Sequence, residues 1–182
     1  MRVIAGKLKG RGIKVPVSKF TRPTTDKNRE AIFNYLNNIL DFNGINVCDI
    51  YAGSGSLGIE AYSRGAGKVD FVEKNYSVYK TLAGNVEKLG IKNSVRIFKT
   101  TAVRFSKMKK HETYQLVLAD PPFFKNDIYL VLENLFSNNF LMPGGIVLIE
   151  RSIQTEKEDQ INFKTDPVKR LGDSLIYIFE QQ

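Results

Sequence analysis

A chain of 182 residues, 42% hydrophobic and 25% charged, is sized and composed for one globular domain with a full core, which excludes a disordered protein. Its formal net charge of +8 favours a polyanionic partner, nucleic acid first. One cysteine (Cys48) and one histidine (His111) exclude an internal disulfide and a Cys/His zinc cluster, so no metal is expected, and no apolar run approaches the ~20 residues of a membrane span.

The first 23 residues, MRVIAGKLKGRGIKVPVSKFTRP, hold Arg2, Lys7, Lys9, Arg11, Lys14, Lys19 and Arg22 and no acid. Short apolar pieces broken by Gly-Lys and Gly-Arg predict a basic β-hairpin extension over residues 1–20, ahead of a main domain over 21–182. The N-terminal charges are followed by no apolar stretch, so no signal peptide is expected and the protein is placed in the cytoplasm. TRPTTDKNREAIFNYLNNIL then reads as a helix, capped by Thr25 or Asp26, with Ile32, Leu36, Ile39 and Leu40 at helical apolar spacing.

Strands and helices alternate from there. INVCDIYA predicts a strand with Cys48 as a small core residue; SLGIEAYSRG predicts a helix; GKVDFVEK is a strand and NYSVYKTLAGNVEKLG a helix closed by glycine. NSVRIFKT and YQLVLAD predict the third and fourth strands, DIYLVLENLFSNNF a helix, LMPGG a turn and GIVLIER the fifth strand. His111 falls in a polar loop and is assigned no catalytic part. KTDPVKRLGDSLIYIFEQ reads as two last strands joined by the short LGDS, so the final strand should be antiparallel. The alternation predicts an α/β fold: a mostly parallel sheet with helices on both faces.

DIYAGSGSLGIEA carries Gly53, Gly55 and Gly58 between a strand and a helix. Glycines there permit a tight turn and bring backbone N–H groups up to a ligand at a helix N-terminus. Glu73, at the end of the second strand, stands at about the 20-residue separation expected of a carboxylate that binds ribose hydroxyls. Dinucleotides and S-adenosylmethionine share this logic, and Asp49 helps separate them. A carboxylate beside the loop repels a pyrophosphate and suits the sulfonium and amine of S-adenosylmethionine.

LADPPFF ends the fourth strand at the sheet's ligand-binding edge. Pro121 and Pro122 stiffen the backbone, so the Asp120 carboxylate and the Pro121 carbonyl can serve as two fixed acceptors for an exocyclic amine. Phe123 can stack on the ring that bears the amine, while Phe124 is assigned to packing. Methyl transfer then needs alignment of the amine with the donor carbon, and the proton leaves to Asp120 or to water.

DIYAGSGSLGIEA, FVEKN and ADPPFF together resemble class I S-adenosylmethionine-dependent methyltransferases that act on an amine nitrogen. With MRVIAGKLKGRGI and RPTTDKNREAIFNYL the likeness narrows to the RsmD-type 16S ribosomal RNA guanine-N2 methyltransferases of bacteria, from Met1 to about Glu150. The resemblance implies a Rossmann-like methyltransferase fold with a seven-stranded sheet and a small N-terminal hairpin. It implies that Asp49, Tyr51, Ala52, Gly53, Ser54 and Gly55 surround the donor's methionine part, that Glu73 holds the ribose, and that Lys74 and Asn75 lie near the adenine. Thr101 stands where the family often carries an acid or amide toward the adenine amine, so Thr101 or the Ala102 N–H is the candidate there. Asp120, Pro121, Pro122 and Phe123 would hold the guanine, and Arg22, Pro23, Thr24, Thr25 and Arg29 would border the site. The implied partner is 16S ribosomal RNA in the assembled or assembling small subunit, met by a monomer without a membrane.

Lys7, Lys9, Arg11, Lys14, Arg22 and Arg29 are the candidate phosphate contacts, with Thr24 and Thr25 beside them. The basic FKTTAVRFSKMKK extends the same kind of surface. Three other readings stay open: a DNA or protein amine as acceptor, an NAD-dependent dehydrogenase on the strength of the glycine motif alone, and an RNA-binding protein without catalysis.

Overall fold

The computed structural model describes residues 1–16, 25–122 and 126–182. Seven strands form one sheet: β1 (Asn46–Asp49), β2 (Lys68–Val72), β3 (Val95–Phe98), β4 (Tyr114–Ala119), β5 (Leu141–Ser152), β6 (Lys169–Leu171) and β7 (Ser174–Glu180). Their order is β3-β2-β1-β4-β5-β7-β6. The first five run parallel, and β7 is antiparallel to both β5 and β6, as the short LGDS connection predicts. The chain builds outward from β1 through β2 to β3, then returns to start β4 on the other side of β1. That reversal opens a crevice at the C-terminal ends of β1 and β4, the place where open α/β sheets bind ligands.

The strands are apolar on both sides because both sheet faces are covered. Val47, Leu116, Leu118 and Leu148 point into a core shared with α1 (Asp26–Leu36), α2 (Ser56–Ser63) and α3 (Tyr76–Leu89). Their neighbours Cys48, Val117, Ala119, Val147 and Ile149 point the other way, onto α4 (Ala102–Ser106), α5 (Asp127–Ser137) and α6 (Glu156–Phe163). The period of two along each strand thus divides one apolar run between two cores.

Helix ends follow their sequence signals. The Thr25 hydroxyl accepts the Asn28 N–H at 3.1 Å and starts α1. Asn75 caps α3 by accepting the Ser77 and Val78 N–H groups, and Gly90 ends α3 at a φ of 72°. α1 stops at Leu36, where Asn37 and Asn38 favour a turn, so Ile39, expected on its apolar face, is 47% exposed. LMPGG, expected to be a turn, is the start of β5, where Gly144 N–H donates to Gln181 O and Gln181 N–H to Gly145 O.

In place of two regular strands, the expected N-terminal hairpin has an isolated antiparallel bridge, Arg2 to Gly12, around a 3-10 turn at Gly6–Leu8, and its arms are joined by the Val3 N–H to Arg11 O, Gly10 N–H to Val3 O and Ile13 N–H to Met1 O bonds. Regular strands do not form because several of their amides are used elsewhere. The Glu60 carboxylate accepts the N–H groups of Ile4 (2.8 Å) and Ala5 (3.0 Å), and Ser63 Oγ accepts that of Leu8 (2.9 Å). Val3 and Ile13 are buried in the α1–α3 core, so the segment is built into the domain.

Gly58 lets α2 lie close against the sheet: a Cβ there would stand 2.4 Å from the Phe71 ring and 3.0 Å from Val69 Cγ1. Phe71 is fully buried and has nowhere to retreat. Gly58→Ala should therefore destabilise the fold by about 1–3 kcal/mol, read as a lower urea midpoint with an unchanged slope.

Candidate active site

The registers bring three connections to one edge. Asp49 pairs with Phe71 on one side and Leu118 on the other, so the chain after β1, β2 and β4 emerges together. Ile50 N–H bonds Leu118 O at 2.9 Å and Ala52 N–H bonds Val72 O at 3.0 Å, which extends the alignment into the glycine loop. Gly53 and Gly55 take φ values of 54° and 83°, the left-handed region that the turn into α2 requires. Leu82 packs so close to Gly55 that a Cβ would stand 2.4 Å from its Cδ1.

Two carboxylates shape this loop. Asp49, 1% exposed, accepts the Gly58 N–H at 2.9 Å in the first turn of α2. Glu73 accepts the Gly53 N–H at 3.1 Å through one oxygen and the Asn75 N–H at 2.7 Å through the other. Burial pushes the Asp49 carboxyl up to about 7, against the stabilising Gly58 N–H, and the nearby Glu73 charge adds to the rise.

Tyr51 donates its hydroxyl to Asp127 at 3.2 Å and so ties the glycine loop to the first residue of α5; burial and then the Asp127 charge raise its pKa. Ala52 and Ser54 are buried in the loop. Asp120 is half-buried, Pro121 buried and Pro122 half-buried just past β4. Lys74 and Asn75 are exposed at the end of β2, and the Asn75 side chain is engaged as the α3 cap. The Thr101 hydroxyl accepts the Arg104 N–H at 3.1 Å as the cap of α4, and Ala102 is buried.

The predicted nucleic-acid contacts divide. Lys7, Lys9, Arg11 and Lys14 are exposed. Lys7 lies 3.5 Å above the Tyr62 ring near the end of α2, and Arg11 donates to Lys88 O near the end of α3. Thr25 is exposed at the start of α1. Arg29 must be reassigned. Its side chain is 0% exposed, donates to Arg2 O and to Asp26 Oδ1, and lies 4.0 Å from the buried Glu60, so it holds the N-terminal segment and presents nothing to a phosphate. Arg22, Pro23, Thr24, Phe123 and Phe124 lie outside the described residues.

Asn85 went unnoticed in the sequence. Its Nδ2 donates to Lys14 O and to Ser54 O, both at 2.9 Å, and its Oδ1 accepts the Lys14 N–H at 2.9 Å. One buried amide thereby joins the basic segment to the glycine loop. The available signal was a polar residue on the stripe of α3 that carries Leu82, Val86 and Leu89. A second unnoticed cluster steadies the far wall. Asp159, fully buried, accepts from Arg151 Nε (2.9 Å), the Tyr129 hydroxyl (2.6 Å) and the Thr155 hydroxyl (2.7 Å), which binds α6 to α5 and β5.

The family described as conserved hypothetical protein 95 matches residues 1–180. A putative rRNA methyltransferase, YlbH, of Bacillus subtilis is 31% identical over 163 residues, which cover 88% of each chain. The ribosomal RNA small subunit methyltransferase D of Escherichia coli is 32% identical over 154 residues, 85% of this chain and 76% of that one. A solved structure of a putative methyltransferase, yhhF, from Escherichia coli superimposes with a TM-score of 0.82 at 27% identity, over 100% of this chain and 98% of that one.

Asn85→Ala removes three hydrogen bonds and takes that partner from the buried Ser54 carbonyl and the part-buried Lys14 carbonyl. It should lower stability by about 2–4 kcal/mol in chemical denaturation and speed proteolytic cleavage of the N-terminal segment, whereas an exposed change such as Lys92→Ala should do neither.

Proposed function

The chain belongs to the RsmD-type family described as conserved hypothetical protein 95, and on that premise we propose that it moves a methyl group from S-adenosylmethionine to the exocyclic N2 amine of one guanine in 16S ribosomal RNA. The observation that supports this most is what occupies the glycine loop. Amides that would cradle a pyrophosphate in a dinucleotide site are taken by carboxylates, Gly53 by Glu73 and Gly58 by Asp49. Two acids beside the glycine loop, one buried and one half-buried, suit a cationic ligand and repel phosphate.

S-adenosylmethionine supplies an electrophilic methyl on a sulfonium. Asp49, with Tyr51, Ala52, Gly53, Ser54 and Gly55, would surround its methionine part. Glu73 would accept from the ribose hydroxyls, and Lys74, Asn75, Thr101 and Ala102 are the residues proposed to border the adenine. Asp120 and the Pro121 carbonyl would hold the two N–H groups of the guanine amine, Pro122 would stiffen the turn, and Phe123 is the residue proposed to stack on the base. Held so, the nitrogen would be oriented for transfer, and the proton would pass to Asp120 or to water. Alignment of this kind can supply much of the rate without a metal or a covalent intermediate.

Lys7, Lys9, Arg11 and Lys14, with Arg22, Thr24 and Thr25, would contact RNA phosphates. The acceptor is read as the assembled or assembling small subunit, met by a monomer in the cytoplasm; among the described residues no helix is long and apolar enough to cross a membrane.

Labelled S-adenosylmethionine offered with unmethylated small subunits, naked 16S RNA and duplex DNA should place label in the RNA as N2-methylguanine. Asp120→Ala should cut that transfer by about a hundredfold or more. Label in DNA or protein would discard the acceptor.

Asp49 adds a pH dependence. Its pKa is raised from 3.8 to about 7 in the folded chain. A raised acid binds its proton more tightly folded than unfolded, so this contribution to stability is present below about 4 and is lost as pH rises through about 7. A cationic donor prefers the ionised form, so donor affinity should climb as pH passes through about 7 and level off above it. Asp49→Asn keeps an acceptor for Gly58 N–H and should flatten that climb in calorimetric titrations.

A further inference from the structure

We propose that the segment from Lys99 to His111, with the cavity it walls, is a second RNA-binding surface that lodges an unstacked base of the substrate between phosphate contacts. The inference rests on the reading of an RNA substrate and adds a site to it.

Lys99, Arg104, Lys107, Lys109 and Lys110 are all exposed, and no acid occurs from 99 to 111. Among the described residues none of the five enters an ion pair. Lys110 is on the wall of a cavity of about 240 Å³ that is lined also by Arg96, Phe98, Phe105, Met108, Glu112 and Tyr114. Of the two acids nearby, Asp70 is paired and hydrogen-bonded, and Glu112 shares the same cation. The Arg96 guanidinium grips Asp70 at 2.8 and 2.5 Å and Glu112 at 3.2 Å, and the Tyr114 hydroxyl donates to Asp70 at 2.6 Å. The segment thus combines an aromatic and thioether pocket, with Lys110 on its wall, and four further exposed cations. That is the chemistry of single-stranded nucleic-acid sites, where cations track phosphates and rings take base faces. The volume falls below the ~300–1,000 Å³ of sites for drug-sized ligands, which fits one flat base.

The pocket is held open in advance. His111 stacks on Phe140 with centroids 3.6 Å apart, its ring nitrogens facing Glu112 O and Asn138 O. Asn138 and Asn134 on the α5 side donate to Ser106 O and Ser106 Oγ. Little ordering is left to be lost on binding. The surface also reaches the active-site edge: Tyr76, 56% exposed at the start of α3, has Lys80 Nζ at 4.8 Å and Lys99 Nζ at 5.0 Å from its ring. The N-terminal basic segment docks on the opposite face of the sheet, so the two regions flank edge strand β3 and RNA can grip the domain from both sides.

The test uses the full chain and naked, unmethylated 16S RNA. Combined Lys107→Ala, Lys109→Ala and Lys110→Ala should weaken RNA binding about tenfold or more and reduce its salt dependence by about two to three ions, with S-adenosylmethionine affinity unchanged as the check on folding. Met108→Trp gives a chain that has no tryptophan its only one, and a base stacked in the cavity should quench its emission when RNA is added. Unchanged affinity and salt slope in the triple variant, or no quenching, overturns the inference while wild-type methyl transfer to RNA stands. A defect seen only with assembled subunits, naked-RNA binding being normal, also overturns it and assigns the segment to a ribosomal protein. Wild type that neither binds nor methylates RNA removes the function itself, and this surface with it.

Discussion

Carboxylates satisfying the amides of the glycine loop are the constraint on which the site depends. A loop that enters a helix leaves N–H groups without intrahelical partners, and buried donors must find an acceptor. Here Asp49 reaches from the end of β1 to Gly58 in α2, and Glu73 reaches from β2 to Gly53. The same two contacts fix how α2 leaves the sheet and set the sign of the crevice's charge. Gly55 and Gly58 complete the arrangement by letting Leu82, Phe71 and Val69 close on the helix, which no larger residue would permit without displacement.

The N-terminal segment is fastened to this centre by buried polar groups. Glu60 accepts two of its amides and lies beside Arg64 at 2.9 Å, Arg29 holds the Arg2 carbonyl, and Asn85 spans Lys14 and Ser54. Burial lowers the Arg29 pKa, with the charges of Asp26 and Glu60 opposing the fall. Such a network is costly to disturb, because removal of one member leaves the others unpaired in a low-dielectric interior. Its effect is that a surface of exposed cations and the donor loop share one rigid support.

Much of this was legible. The apolar runs of β1, β4 and β5, the glycine punctuation and the short final connection sufficed for a mostly parallel sheet with an antiparallel last strand, and the spacing of Asp49, Gly53, Glu73 and Asp120 placed them on one edge. α4 and α6 escaped because one is very short and the other carries a polar sequence whose buried contacts include Asp159, so neither has an apolar stripe. Arg29 was misassigned because charge was read before position: it shares the stripe of Ile32, Phe33 and Leu36, and a cation at such a position is a buried one. The N-terminal arms pair without regular strands, and strand patterning does not reveal that Glu60 and Ser63, some fifty residues on, claim several of their amides.

The ligand that the glycine loop accepts decides between a cationic donor site and a dinucleotide site. Calorimetric titration of the protein with S-adenosylmethionine, and separately with NAD, tests it in one experiment. Saturable binding of S-adenosylmethionine that weakens in Glu73→Ala, with no heat from NAD, is the predicted result. Saturable binding of NAD without S-adenosylmethionine would contradict the reading of Asp49 and Glu73 as a site for a cationic donor.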